Sequence, residues 1–391
     1  MRRLLIYTFI LCLAILLNSC GEKEPQQSEW AATPYELPIP KYFPTMLNIP
    51  DDNPLTVEGI TLGRYLFYDG RLSGRTEHDS LMSCGSCHVQ ENSFKPGISN
   101  PAFTDGRPAG LTGKLTRHAA LPLINLVWNS NGYTWNGAVN LTNPNEAKRN
   151  IEDLILMSIN NPAELAGDTT EVVNLLQNTP GYPDLFYKAF GSSKVTIRNI
   201  SKAIAQFVRT LVSSNSRFDQ YMRGDLQLTT EELEGFVLFT TEEGGDCFHC
   251  HGSSGNPLFT TNLFYNNGKD TVFNTGDDRF SITGNPSDIG AYKATTMRNV
   301  AVTGPYMHDG RFKTLDEVIE QYSHHVKRSE NISPLMHHVN EGGVQLTPLE
   351  KVYLKAFLQS LTDETFLNNT EYSAPATFPD GKEYKDVRGK Y

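Results

Sequence analysis

The sequence predicts an all-α chain organised in two domains. Three observations carry that reading. Apolar residues recur at helical spacing behind capping residues in both halves, each half holds one Cys-x-x-Cys-His pentapeptide, and 391 residues suffice for two domains of about 150 to 180 residues. The pentapeptides are Cys84-Gly85-Ser86-Cys87-His88 and Cys247-Phe248-His249-Cys250-His251. This spacing is the attachment signature of a c-type haem, with two thiols for the vinyl groups and an adjacent imidazole for the iron. Two copies imply two covalently bound haem c groups, with Cys84, Cys87, Cys247 and Cys250 as attachment residues and His88 and His251 as iron ligands.

The chain opens with Arg2 and Arg3, runs apolar from Leu4 to Leu17 and reaches Leu17-Asn18-Ser19-Cys20. A charged start, a short apolar run and small residues read as a secretory leader rather than a spanning helix. The last four residues resemble a bacterial lipobox, which implies a signal peptide over 1–19, cleavage before Cys20, and lipid at its sulfur. The expected location is therefore periplasmic or elsewhere in the cell envelope, anchored to a membrane. Cys12 leaves with the leader, and the four cysteines left besides the anchor all sit in the haem motifs, so no structural disulfide is available. Zinc bound by the Cys-x-x-Cys pairs is the rival reading. The trailing histidines and the export signal weigh against it. Loss of Arg2 and Arg3 takes the net charge from −10 to −12. Such acidity argues against a nucleic-acid partner and suits transient docking of a basic electron-transfer protein.

Residues 20–45 read as a tether, because the stretch from 21 to 50 holds six prolines among Gln, Ser and Glu. The N-terminal domain is expected over 46–213. Its first helix fits Val57 to Tyr68 behind Thr56, and a second runs from about Ile197 to Val212 behind Thr196. The C-terminal domain is expected over 214–370, followed by a tail over 371–391. There Thr229 and Glu232 form a capping box before the second haem motif. A last helix starts at Thr347-Pro348-Leu349-Glu350 and is expected to bury Leu349, Val352, Tyr353, Ala356, Phe357 and Leu361. Loops rich in Gly, Asn and Pro occupy 89–147 and 252–296, and the haem is the core they are expected to wrap. The shared order of helix, motif, loop and helices is that of a duplicated cytochrome c domain. The expected fold is thus two cytochrome c-type haem domains packed around an inter-haem interface, with long irregular loops.

Several further stretches match in order: Leu62-Gly63-Arg64-Tyr65-Leu66-Phe67, Arg117-His118-Ala119, Tyr133-Thr134-Trp135-Asn136-Gly137, Asn161-Pro162-Ala163-Glu164, Arg298-Asn299-Val300-Ala301 and Pro305-Tyr306-Met307-His308-Asp309-Gly310. With them the chain resembles, from about residue 44 to 367, the bacterial dihaem cytochrome c peroxidases and their MauG-type relatives. The resemblance implies that the N-terminal haem binds hydrogen peroxide and that the C-terminal haem passes it electrons from a small cytochrome c or cupredoxin. It implies Glu164 as the group that moves protons during peroxide cleavage, although Leu154 stands where the family often has a Gln. It implies Trp135 as an electron relay between the haems, whereas Trp128 has no match and reads as core.

No histidine lies between His88 and Arg117, so the N-terminal haem is expected to be five-coordinate and open to peroxide. Where many members have an Asn that helps bind calcium, with carbonyls that would here belong to Thr303 and Pro305, this chain has His118. Hard cations prefer oxygen, which counts against calcium. His308 reads as a hydrogen-bonding residue near a propionate. Tyr322, fourteen residues after His308, matches the tyrosine that ligates the second haem in the MauG type; the peroxidases have a methionine there. A tyrosine oxygen stabilises ferric iron, and a thioether raises the potential. Met297, Met307 and Met336 compete with Tyr322 for that role. Three functions follow: a peroxidase reducing hydrogen peroxide to water, a MauG-type oxidant acting on a protein or organic substrate through high-valent iron, and a non-catalytic dihaem electron carrier.

Overall fold

In the computed structural model, which describes residues 30–98, 106–129, 131–139, 150–253 and 255–389, the Thr56 hydroxyl accepts from Gly59 N–H at 3.0 Å and starts helix α1 (Val57–Tyr68). The first half continues with α2 (Cys84–Cys87), α3 (Ile151–Asn160), α4 (Thr169–Gln177), α5 (Tyr182–Phe190) and α6 (Ile197–Arg209). Leu62, Leu66 and Phe67 of α1 are buried against Ile200, Ile204 and Phe207 of α6. A Cβ on Gly63 would stand 1.9 Å from the Ala203 carbonyl oxygen, so only glycine allows this crossing. Helix α6 stops at Arg209, three residues before the expected end. The chain then leaves the helix to exchange bonds with Asn125, which receives Ser213 N–H at 2.9 Å and donates to Ser213 O at 3.0 Å.

The second half repeats the device. It comprises α7 (Arg217–Arg223), α8 (Thr230–Thr240), α9 (Phe248–His251), α10 (Phe280–Thr283), α11 (Leu315–His324), α12 (Pro348–Ser360) and α13 (Glu364–Leu367). Thr229 and Glu232 form the capping box read from the sequence, and Thr347 with Glu350 forms another. Helices α8 and α12 cross at Gly235, where a Cβ would lie 1.9 Å from Tyr353 O. Phe239, Leu354, Phe357, Leu358 and Leu361 are buried there with Phe218 and Phe259. The expectation that Leu349 and Val352 are buried is wrong: each is 57% exposed. Helix α12 packs one arc only. Val352 precedes Leu354 by two residues, about 200° around the helix, so it points away from α8.

Two main apolar cores result, the first built mostly from the first half with Phe366, Phe378 and Val387 joining it and the second from the second half, beside a smaller cluster of Phe43, Val127, Trp128 and Leu258. Both halves also bury Arg–carboxylate pairs: Arg209 donates to Glu152 at 2.7 and 2.9 Å, and Arg298 to Asp219 at 2.8 and 2.6 Å. The fold is predominantly helical. Sheet among the described residues is confined to β1 (Phe264–Tyr265) paired antiparallel with β2 (Tyr292–Lys293) and a few isolated bridges. No described helix is long and apolar enough to cross a membrane. The leader, the lipobox, Cys12 and Cys20 lie outside the described residues.

Both flanks of the body are packed. From Thr33 on, the segment read as a tether lies against it: Tyr35 N–H donates to Leu55 O, and Phe43 is buried against Trp128, as expected a core residue, whose Nε1 donates to Pro44 O at 2.7 Å. The expected tether over 20–45 is thus corrected from Thr33 on, and its residues 20–29 lie outside the described residues. At the other end, Tyr372, Phe378, Tyr384 and Val387, the last two in α14 (Tyr384–Val387), cover the first core. Arg71 bridges Asp69 and Asp380 at 2.7 and 2.6 Å, and the Tyr68 hydroxyl donates to Tyr372 O.

Candidate haem sites and the residues between them

The first pentapeptide folds as α2, closed by a capping box between Ser83 and Ser86. Its histidine turns Nδ1 onto the Phe94 carbonyl at 2.6 Å. A carbonyl can only accept, so Nδ1 carries the proton and Nε2 keeps its lone pair for a metal. Burial lowers the His88 pKa, which favours that neutral form. Cys84 and Cys87 are pushed up to about 12, by burial first and then by the charge of Glu164. Glu164 therefore lies within electrostatic reach of both thiols. Asn161 Nδ2 donates to its Oε1 at 2.7 Å, and its backbone carbonyl receives Leu111 N–H. Close packing fixes this turn, since a Cβ on Gly110 would stand 2.2 Å from the Ala163 carbonyl carbon. Leu154 packs at the edge of the first core.

The second pentapeptide follows the same rule with different surroundings. His251 Nδ1 faces Thr295 O at 2.9 Å, and burial lowers its pKa to about 4. Cys247 and Cys250 are pushed up to about 12, by burial and then by Asp246. These three residues line a cavity of about 200 Å³, on whose wall also stand Tyr322, Met297, Met307 and Met336. Tyr322 and its three competitors thus share one cavity. Burial raises the Tyr322 pKa, opposed by Asn267, whose Nδ2 donates to the phenol oxygen at 2.8 Å and lies 3.7 Å from Met307 Sδ.

Trp135 also lines this cavity. Its Nε1 donates to Ala119 O at 2.8 Å and its ring centroid is 6.4 Å from that of His308. His308 stacks on Tyr292 at 3.6 Å, and burial lowers its pKa to about 3. His118 stands edge-on to both rings, with Nε2 buried and without a hydrogen-bond partner. The Pro305 carbonyl, one of the two expected to face calcium, receives the buried Lys95 Nζ at 2.8 Å; burial brings that amine down to about 7.

The donor sets fit haem c. In each motif two free thiols precede an imidazole that is neutral and held by its far nitrogen. Among the described residues, no group of three or more metal-ligating side chains includes a cysteine, as zinc bound by the Cys-x-x-Cys pairs would need.

Residues 57–227 match the family model described as di-haem cytochrome c peroxidase. The MauG protein of Methylophilus methylotrophus is 30% identical over 336 residues, covering 81% of this chain and 86% of its own. The chain belongs to the dihaem cytochrome c peroxidase and MauG family. Cytochrome c551 peroxidase of Nitrosomonas europaea is 30% identical over 263 residues, 66% of this chain and 71% of the relative. A crystal structure of a MauG-like protein associated with microbial copper homeostasis superposes with a TM-score of 0.74 at 32% identity, covering 87% of this chain and 99% of that one. Family membership implies two haem c groups and a peroxidase-type oxidoreductase.

Sequence reasoning named the motifs and both oxygen acids, Glu164 and Tyr322. It missed Asn161 and Asn267, which hold those acids, and the Phe94 and Thr295 carbonyls that orient the histidines. It also missed Lys95 and Tyr292.

Proposed function

We propose that the protein is a peroxidase that reduces hydrogen peroxide with two electrons and two protons to two waters, the electrons coming from a small redox protein. The observation that carries this reading is Glu164, held by Asn161 within reach of Cys84 and Cys87. When bound, the two haem c groups supply electron storage and a peroxide-binding iron, chemistry that no side chain offers. His88 and His251 would hold them through Nε2, and the four motif cysteines would fix them covalently. With Oε1 engaged by Asn161, Glu164 keeps Oε2 to take a proton from one peroxide oxygen and return it to the other. Trp135 is fixed by its indole hydrogen bond beside His308, where a polarisable ring serves as a relay. The proposal includes a place outside the cytoplasm, anchored through Cys20, a reading supported by the leader and lipobox in the sequence.

Steady-state oxidation of a reduced small cytochrome by peroxide tests the reading, together with absorption and EPR spectra of the oxidised protein. One high-spin and one low-spin haem are expected. Two low-spin haems would overturn it in favour of an electron carrier.

A second reading, oxidation of a protein or organic substrate in the manner of MauG, is favoured by Tyr322, whose phenol faces the second cavity under the Asn267 hydrogen bond. Tyr322→Phe is expected to change the absorption and EPR of the second haem. An unchanged spectrum removes that reading's basis.

A further inference from the structure

In and beside the second pentapeptide three side chains converge that the peroxidase reading does not use, His337 and the neighbouring Asp246 also lining the cavity there. Glu242 follows the end of α8, His249 lies between the two cysteines in α9, and His337 comes from the loop before α12. One ligand atom of each lies within 4.8 Å of the others. His249 Nε2 is already 3.5 Å from Glu242 Oε1. Ligands about 2.0–2.2 Å from a tetrahedral zinc are roughly 3.3–3.6 Å apart, so this pair is at ligand spacing and a rotamer adjustment of exposed side chains closes the third.

Beneath them is Asp246, nearly buried. Its Oδ1 is 2.6 Å from His249 Nδ1 and its Oδ2 is 3.4 Å from His337 Nδ1. The carboxylate thus takes the inner nitrogen of His249, whose Nε2 faces Glu242, and stands at ion-pair distance from His337 Nδ1. This is how carboxylates orient histidine ligands at metal centres. The rings are 4.8 Å apart and nearly perpendicular, so they are not stacked on each other.

We propose that Glu242, His249 and His337 form a site for one divalent transition ion of the zinc or copper class, with Asp246 as the positioning residue. Two nitrogens and one oxygen favour such ions over calcium or magnesium, which take oxygen donors. Three protein ligands leave a position for water. The ion ties the second attachment loop to the segment carrying His337, and it does so whether or not the peroxidase reading holds.

The test uses the holoprotein, stripped with chelator and titrated with zinc by calorimetry and with copper(II) by EPR. One equivalent is expected, with a two-nitrogen copper signature and a raised midpoint of thermal unfolding. Glu242→Gln and His337→Ala should each weaken binding roughly tenfold or more, and Asp246→Asn by about 10–100-fold. His324→Ala/His325→Ala, a separate exposed pair beside Glu320, should leave it unchanged. No saturable binding, binding indifferent to Glu242→Gln and His337→Ala, or binding lost only in the His324/His325 variant would each overturn the proposal.

Discussion

The two halves solve one problem, a histidine that must present Nε2, in the same way, and then diverge on what faces the histidine's pocket. Around both motifs a backbone carbonyl takes the imidazole Nδ1, at 2.6 Å in the first half and 2.9 Å in the second. In both, an asparagine amide holds an oxygen acid, Asn161 on Glu164 and Asn267 on Tyr322. The acids differ in kind. One is a carboxylate, the other a phenol that burial pushes further above its ordinary range. The lesson is that a duplicated frame becomes asymmetric through one side chain per half, which on the proposed function suits the first motif to proton traffic and the second to holding a fixed partner.

The sharpest way to break the comparison is Glu164→Gln. It keeps size and the Asn161 contact but removes the mobile proton, so peroxide turnover should fall by about 10²- to 10⁴-fold, with the second haem's spectrum unchanged. Equal disturbance of both spectra would mean that Glu164 is structural.

Next in size are the buried ion pairs. Removing one partner of such a pair leaves an uncompensated charge and costs about 3–5 kcal/mol, so Glu152→Ala should lower the melting temperature strongly. The same pair sets an acid limit. Burial alone would raise the Glu152 pKa, but hydrogen bonds and charge from Arg209 leave it below its ordinary value of 4.5, and Arg298 likewise leaves Asp219 below 3.8. A folded pKa below the unfolded one gives stability that is present above the unfolded value and is lost as pH falls through the folded value. Circular dichroism against pH should therefore show acid unfolding beginning below about 4.5, and loss of structure near neutral pH would contradict the assignment.

The smallest effect compares the crossings. Gly63→Ala and Gly235→Ala each force a methyl against a helix carbonyl, at an overpacking cost of about 1–3 kcal/mol. Similar losses in the two variants are expected from the equal 1.9 Å approaches; a loss in one alone would show that the halves differ in backbone give.

What the sequence made legible was local. Caps at Thr56, Thr229 and Thr347, and both pentapeptides, depend on residues a few positions apart, and each formed where expected. What it hid depends on distant partners. Asn267 meets Tyr322 across 55 positions and Lys95 meets Pro305 across 210, and no local pattern marks either pair. Leu349 and Val352 failed for another reason: helical spacing shows that a side chain is apolar, not which arc of the helix finds a neighbour.

The segment from Tyr372 to Val387 contributes no proposed ligand, yet it lies over the core that supports His88. Proteolytic clipping after residue 370 would spare every motif cysteine and both motif histidines while uncovering the first apolar core. Intactness of the carboxyl-terminal stretch is thus a quality check on the amino-terminal reaction site.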